Sequence, residues 1–136
     1  MTDAAQSFAF SAYPTRTIKV EQGATIKFDS ITSNIGNHYN PVTGHFTCPE
    51  TGIYAFLLIL TSHYHNQVCG NLVKEGNTLA FAIASNPKLE GHHCVTASYL
   101  HVECQEGERI WVECYKQSVV YGGTFSTFSG HFLGTQ

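Results

Sequence analysis

At 136 residues the chain fits one domain, long enough to bury about two-thirds of its unfolded surface. The apolar fraction is 43%, so a packed core needs no metal or cofactor to hold it, and charged residues make up 12%, about half of the usual ~25%. The net charge is −3, and Arg16, Lys19, Lys27, Lys74, Lys88, Arg109 and Lys116 are scattered rather than gathered in the basic stripe that nucleic acid requires, so no nucleic-acid partner is expected. The longest apolar run, Ile53 to Leu60, is eight residues, a strand's length and short of the ~20 of a membrane span.

Nine Phe, seven Tyr and twelve Gly favour strands and turns over amphipathic helices. The opening MTDAAQSFAF lacks the charged start and apolar stretch of a signal peptide. Residues 1–7 read as an N-terminal tail before one domain over residues 8–134. Phe8, Phe10 and Ala12 alternate with smaller residues and predict a first strand that stops at Pro14. Thr17 to Val20 is a second extended piece, and Ala24 to Phe28 a third, with Ile26 and Phe28 on a buried face. Asn34 to Gly44, carrying glycine, several Asn and Pro41, reads as a long loop. Phe46 and Thr47 make a brief strand before the Pro49–Gly52 turn.

Gly52 to Thr61 is the most apolar segment and predicts a central strand. Val68 to Val73 and Thr78 to Ala84 flank Glu75-Gly76-Asn77, a hairpin signature that needs positive φ at Gly or Asn. Asn86 to His93 is a polar loop. Val95 to Val102 and Arg109 to Tyr115 flank Gln105-Glu106-Gly107-Glu108 and read as a second hairpin. Phe125 to Leu133 closes the chain with Phe128, Gly130 and Phe132 on one face. Eight to ten short strands at 8–12-residue spacing give the cadence of an all-β sandwich or jelly roll.

Cysteines stand at 48, 69, 94, 104 and 114, with no CxxC pair to suggest a structural zinc ribbon. Two readings stay open: one or two disulfides in an oxidising compartment with a thiol left over, or five thiols packed as small hydrophobes. No Asn-x-Ser/Thr acceptor occurs. His63-x-His65 on a strand would put two rings on one face, and His92-His93 sits in a loop; imidazoles suit zinc, but two seldom suffice. G-x-S-x-G, H-E-x-x-H and a phosphate-cradling Gly loop are all missing, which points away from an enzyme.

A spaced set of aromatics and glycines carries the most specific signal: Phe28, Asn34, Tyr39, Phe46, Gly52, Tyr54 and Phe56, with Leu58 where an aromatic would complete the pattern. Ala9-Phe10-Ser11-Ala12, Leu100-His101-Val102, Gly107-Glu108, Ile110-Trp111-Val112 and Phe128-Ser129-Gly130 extend the match from Phe8 to Leu133. The chain thereby resembles the globular head of the complement C1q family, most closely its short, stalkless, lectin-like invertebrate type. His131 occupies a commonly apolar slot, so it faces solvent or is an unusual core histidine. The aromatics of the motif are core builders. Gly52 and Gly107 read as turn glycines with positive φ, and Gly130 as a close backbone approach.

The resemblance implies a two-sheet jelly roll of about ten antiparallel strands, like tumour-necrosis-factor ligands, and a secreted homotrimer. It implies either innate-immune recognition of glycans, lipopolysaccharide or other microbial surface molecules, or service as an extracellular ligand for a protein receptor, hormone-like or synaptic. No Gly-X-Y stalk is present, so trimerisation would rest on head contacts. Some members hold calcium near the apex; no acidic loop stands out here, so calcium stays open and unlocated, and no cofactor is required. His63, Tyr64, His65, Asn66 and Gln67 place stackable rings and amides in a row, as sugar sites use, and Asn37 and His38 offer a similar set.

Overall fold

A computed structural model of the chain describes residues 8–84 and 93–135. Among them are twelve strands, all paired antiparallel: β1 (Ala9–Tyr13), β2 (Ile18–Val20), β3 (Ser30–Ile35), β4 (Tyr39–Asn40), β5 (His45–Thr47), β6 (Gly52–Thr61), β7 (Val68–Lys74), β8 (Asn77–Ala84), β9 (Val95–Cys104), β10 (Arg109–Cys114), β11 (Ser118–Val120) and β12 (Thr127–Gly134). One five-stranded sheet runs β3-β1-β12-β6-β9 and faces another ordered β4-β5-β10-β7-β8; a ribbon of β11 and β2 flanks them. This is the expected jelly roll. No helix among the described residues is long and apolar enough to cross a membrane.

The core between the sheets is aromatic. Phe10 lies parallel to Tyr39 at 4.8 Å and against Phe46 at 4.9 Å, both on the facing sheet, and meets Phe128 of its own sheet edge-on at 4.9 Å. Such ring pairs contribute about 0.5–1.5 kcal/mol each beyond their buried area. Phe28, Tyr54 and Phe56 are fully buried, and Leu58 fills its aromatic slot with no loss of burial. His131 is exposed, on the outer face of its sheet.

The motif's spacing has a hydrogen-bonding reason as well. The Asn34 side chain, on β3, donates to the Tyr39 carbonyl at 2.7 Å and accepts from the Tyr39 amide at 3.1 Å, so it pairs the exposed edge of two-residue β4. The Tyr39 hydroxyl then reaches inward, donating to the Phe28 carbonyl at 3.0 Å and accepting from the Phe28 amide at 3.2 Å. Buried backbone groups that have no ladder partner are satisfied in this way.

Several expectations need correcting. Ala24–Phe28 is not a strand, although Ile26 and Phe28 are both buried. It follows the edge of β10 through Cys114 N–H to Ala24 O and Ile26 N–H to Val112 O, both 2.8 Å, with one bridge at Thr25. The supposed loop Asn34–Gly44 contains the end of β3 and all of β4, whose polar, edge-strand residues lack a strand's alternation. The first hairpin is present with positive φ at Gly76 (87°), as expected, and Glu75 (48°) shares it. Gln105–Glu108 is no hairpin: β9 and β10 belong to different sheets, and the turn is a corner between layers. Gly107 does have positive φ (90°), whereas Gly52 does not; a Cβ there would sit 2.6 Å from the Gly134 carbonyl oxygen and the Phe132 ring. Asn86–Gly91 and His92 lie outside the described residues.

Two substitutions test this account in urea unfolding. Tyr39→Phe strands the Phe28 amide and carbonyl and lowers stability by about 1–3 kcal/mol. Gly130→Ala places a methyl 2.6 Å from Phe56 and 2.9 Å from Phe10 and costs a similar ~1–3 kcal/mol through overpacking. Unchanged midpoints would remove both residues from the fold's critical contacts.

Candidate functional site

The sequence-derived candidates fall at opposite ends of the sandwich. Ala9 pairs with Ile35 and with His131, so the Gly36–His38 turn lies at the end where β1 begins and β12 finishes. Asn37 is a left-handed turn residue (φ 66°) whose amide donates to Asn34 O at 3.0 Å. His38 packs edge-on against Phe8 at 5.2 Å and is half-buried. Ser62–Gln67 follows the far end of β6, ten residues away along a strand, or roughly 30 Å at ~3.3 Å per residue.

At that far end the rings converge. Tyr64 stacks on His93 at 4.2 Å and His93 on Tyr121 at 4.2 Å, while Phe125 lies tilted by 31° against Tyr121 at 4.7 Å; His63 lies 5.4–6.0 Å from Tyr64, Tyr121 and His93. The result is a four-ring ladder, Tyr64–His93–Tyr121–Phe125, built from three chain segments. Its ends are open: Tyr64 is 44% and Phe125 57% exposed. His63 and Tyr64 thus enter the site as expected. His65, Asn66 and Gln67 support it instead. His65 is left-handed (φ 63°) and turns the chain, so His63-x-His65 is not on a strand and the two rings do not share a strand face. Asn66 closes the turn by donating to Tyr64 O at 2.6 Å, and the Gln67 amide donates to Gln117 O at 3.1 Å.

Backbone hydrogen bonds lock the three segments together. Ser62 N–H donates to Cys94 O at 2.8 Å, Cys94 N–H to the Ser62 hydroxyl at 3.0 Å, and Tyr121 N–H to Thr61 O at 2.8 Å. The Thr61 hydroxyl donates to Phe125 O, and its amide donates to Ser126 Oγ at 3.0 Å. The single 3-10 turn among the described residues, Gly123–Phe125, is anchored by Gly123 N–H to Pro14 O at 2.7 Å. His93 Nδ1 lies 2.7 Å from Ser62 O; a carbonyl only accepts, so Nδ1 carries the proton and Nε2 is the acceptor of the neutral ring. The ladder is therefore held at both backbone and side-chain level, with stacking faces at its ends and an imidazole acceptor within it.

His93, Tyr121 and Phe125 escaped sequence reasoning. They lie beyond strand alternation, beside Cys94 or in the Gly122–Gly123 turn, and only the fold brings them to Tyr64. A second gathering was also hidden. Arg16, Lys19 and Lys27, distant in sequence, rim a cavity of about 730 Å³ with Ile18, Val20 and Val42. Glu21 and Asp29 share that rim, and the Thr15 backbone amide, donating at 2.8 Å, holds the Asp29 carboxyl below the usual carboxylate range. The charges there largely offset one another. Among the described residues no three His, Cys, Asp or Glu side chains converge as a metal site.

Comparison with known proteins bears on the fold and its lineage. Residues 9–133 match the C1q domain family. A human complement C1q subcomponent is 28% identical over 132 residues, covering 96% of this chain and 51% of that protein. Mouse multimerin-2 is 33% identical over 116 residues, covering 82% of this chain and 12% of that protein. The chain spans about half or less of the length of the curated relatives it matches. The globular domain of zebrafish complement 1qA superposes with a TM-score of 0.80 at 19% identity, covering 95% of this chain and 99% of that one. With its aromatic motif assembled in the core of a jelly roll and the match running from the first strand to the last, the chain belongs to the C1q domain family.

Proposed function

We propose that the domain is a secreted, extracellular recognition module that binds glycans or microbial surface molecules, lipopolysaccharide among them, at its ring-laddered end, and that it does so as a homotrimer. The observation that carries this reading is the Tyr64–His93–Tyr121–Phe125 ladder. Four aromatic rings stand outside the core, on loops held rigid by their own hydrogen bonds, with open stacking faces. Sugars present apolar ring faces that pack on such aromatics, and hydroxyls that meet imidazole or amide partners. A pre-formed site loses little entropy on binding.

Trimerisation is supported by the outer face of the β3-β1-β12-β6-β9 sheet. Tyr99 and Val95 are 58% and 65% exposed on β9, and Tyr99 pairs with half-buried Leu57 while Ala97 pairs with Ile59. An apolar strip of this kind, on edge strand β9 and its neighbour β6, is costly to leave in water. Members of this superfamily form trimers, and three copies would bring three ladders to one end. Linked weak sites gain roughly 10²–10⁴-fold in avidity without any new contact.

A specific observation favours a second reading, a ligand for a protein receptor. Phe81, Ile83 and Tyr115 are exposed together on the outer face of the other sheet, with Phe81 edge-on to Tyr115 at 5.1 Å. Exposed aromatics are typical anchors of protein interfaces.

Glycan arrays and immobilised lipopolysaccharide, with and without calcium, test the first reading. Tyr64→Ala and Phe125→Ala should each weaken binding about two- to tenfold per site, the equivalent of ~0.5–1.5 kcal/mol of ring contact, with little change in melting temperature. Absence of binding to every glycan, together with capture of one cell-surface protein that sugars do not displace, would replace it by the second. Light scattering should give three times the chain mass, and Tyr99→Glu the mass of one chain. A monomeric wild type would remove the avidity argument.

A further inference from the structure

The five cysteines are free thiols here, four buried and Cys94 half-buried. Two of them stand at equivalent places. β5 passes to β6 and β9 passes to β10 by corners that cross from one sheet to the other at the same end of the sandwich. Cys48 directly follows β5, and Cys104 is the last residue of β9, opposite Gly52 in the ladder. The corners are themselves joined: Cys48 N–H donates to Glu108 O and Gly107 N–H to Cys48 O, both at 2.8 Å. The two side chains, 1% and 0% exposed, turn into the shared core. There each bears on the other: the neighbouring thiol pushes Cys48 up and holds Cys104 below the usual thiol range.

The remaining cysteines are not so arranged. Cys114 pairs with Gly70, whose Cβ position would meet Leu60 and Val112, so Cys114 faces the core; Cys69, one residue along β7, faces away from it. Cys94 lies at the far end, beside the ring ladder. We infer that Cys48 and Cys104 form a disulfide that staples the two sheets, made during folding by exchange with a disulfide oxidant of the oxidised-glutathione class.

The chemistry balances. Cys104, as thiolate, attacks oxidised glutathione and releases one glutathione thiolate. Cys48 gives its proton to solvent, attacks the Cys104 sulfur of the mixed disulfide and releases the second glutathione. Two protein thiols become one disulfide as one oxidised glutathione becomes two reduced molecules. A tripeptide has no room at sulfurs this buried, which places the exchange before the core closes. The closed loop, residues 48 to 104, holds β6, β7, β8 and β9, and it restricts the unfolded chain accordingly.

The test is to refold the whole chain in a reduced/oxidised glutathione buffer, alkylate in denaturant, and map peptides by mass spectrometry without reduction. The expected result is one linked pair, Cys48 with Cys104, and alkylation at Cys69, Cys94 and Cys114. The melting temperature should exceed that of the reduced protein, and reductant should abolish the difference. Alkylation at all five positions after oxidative refolding, or a link between any other pair, would overturn the inference. The mapping needs no variant; where Cys48→Ala folds, it should show no redox-dependent melting shift.

Discussion

Phe10 is where the two layers close on each other. Its ring is flat against Tyr39 and Phe46 across the sandwich and edge-on to Phe128 beside it. Interior packing leaves no slack at such a point. Gly130 has no side chain because Phe56 and Phe10 occupy its Cβ volume, and Gly52 has none because Phe132 and the Gly134 carbonyl occupy its own. Tyr39 can hold its position only because Asn34 pairs its backbone and Phe28 receives its hydroxyl. The aromatic motif is thus one connected object, with rings that pack and polar groups that keep the rings in register.

This explains what the sequence made legible. Alternation in β1, β6 and β12 marks inward residues because each of these strands has one face in the core. The β7–β8 turn is legible because a two-residue turn needs positive φ at both positions, and Gly76 supplies one. β3 and β4 were not legible: both are short or polar edges, and β4 is completed by the Asn34 side chain rather than by another strand. The corner at Gln105–Glu108 carries the same local signal as a hairpin, and only the sheet assignment of β9 and β10 tells them apart. Ile26 and Phe28 were correctly read as buried, yet burial does not require a ladder.

The candidate site was half legible for a related reason. His63 and Tyr64 are neighbours in sequence and draw attention as a run, whereas His93 and Tyr121 are brought to them by the bridge between Ser62 and Val120 and by the hydrogen bonds at Thr61, Ser62 and Cys94. Asn37 and His38 have a similar composition but serve a turn at the other end. Composition names the kind of chemistry a segment can offer; the register of the strands beneath decides which segments meet.

That register also settles which end of the sandwich carries the first and last strand ends. β1 begins and β12 finishes beside Gly52 and Ala55, while the rings stand beyond Thr61. The outer ends of the first and last strands therefore lie a full strand's length from the rings, on the opposite side of the sandwich.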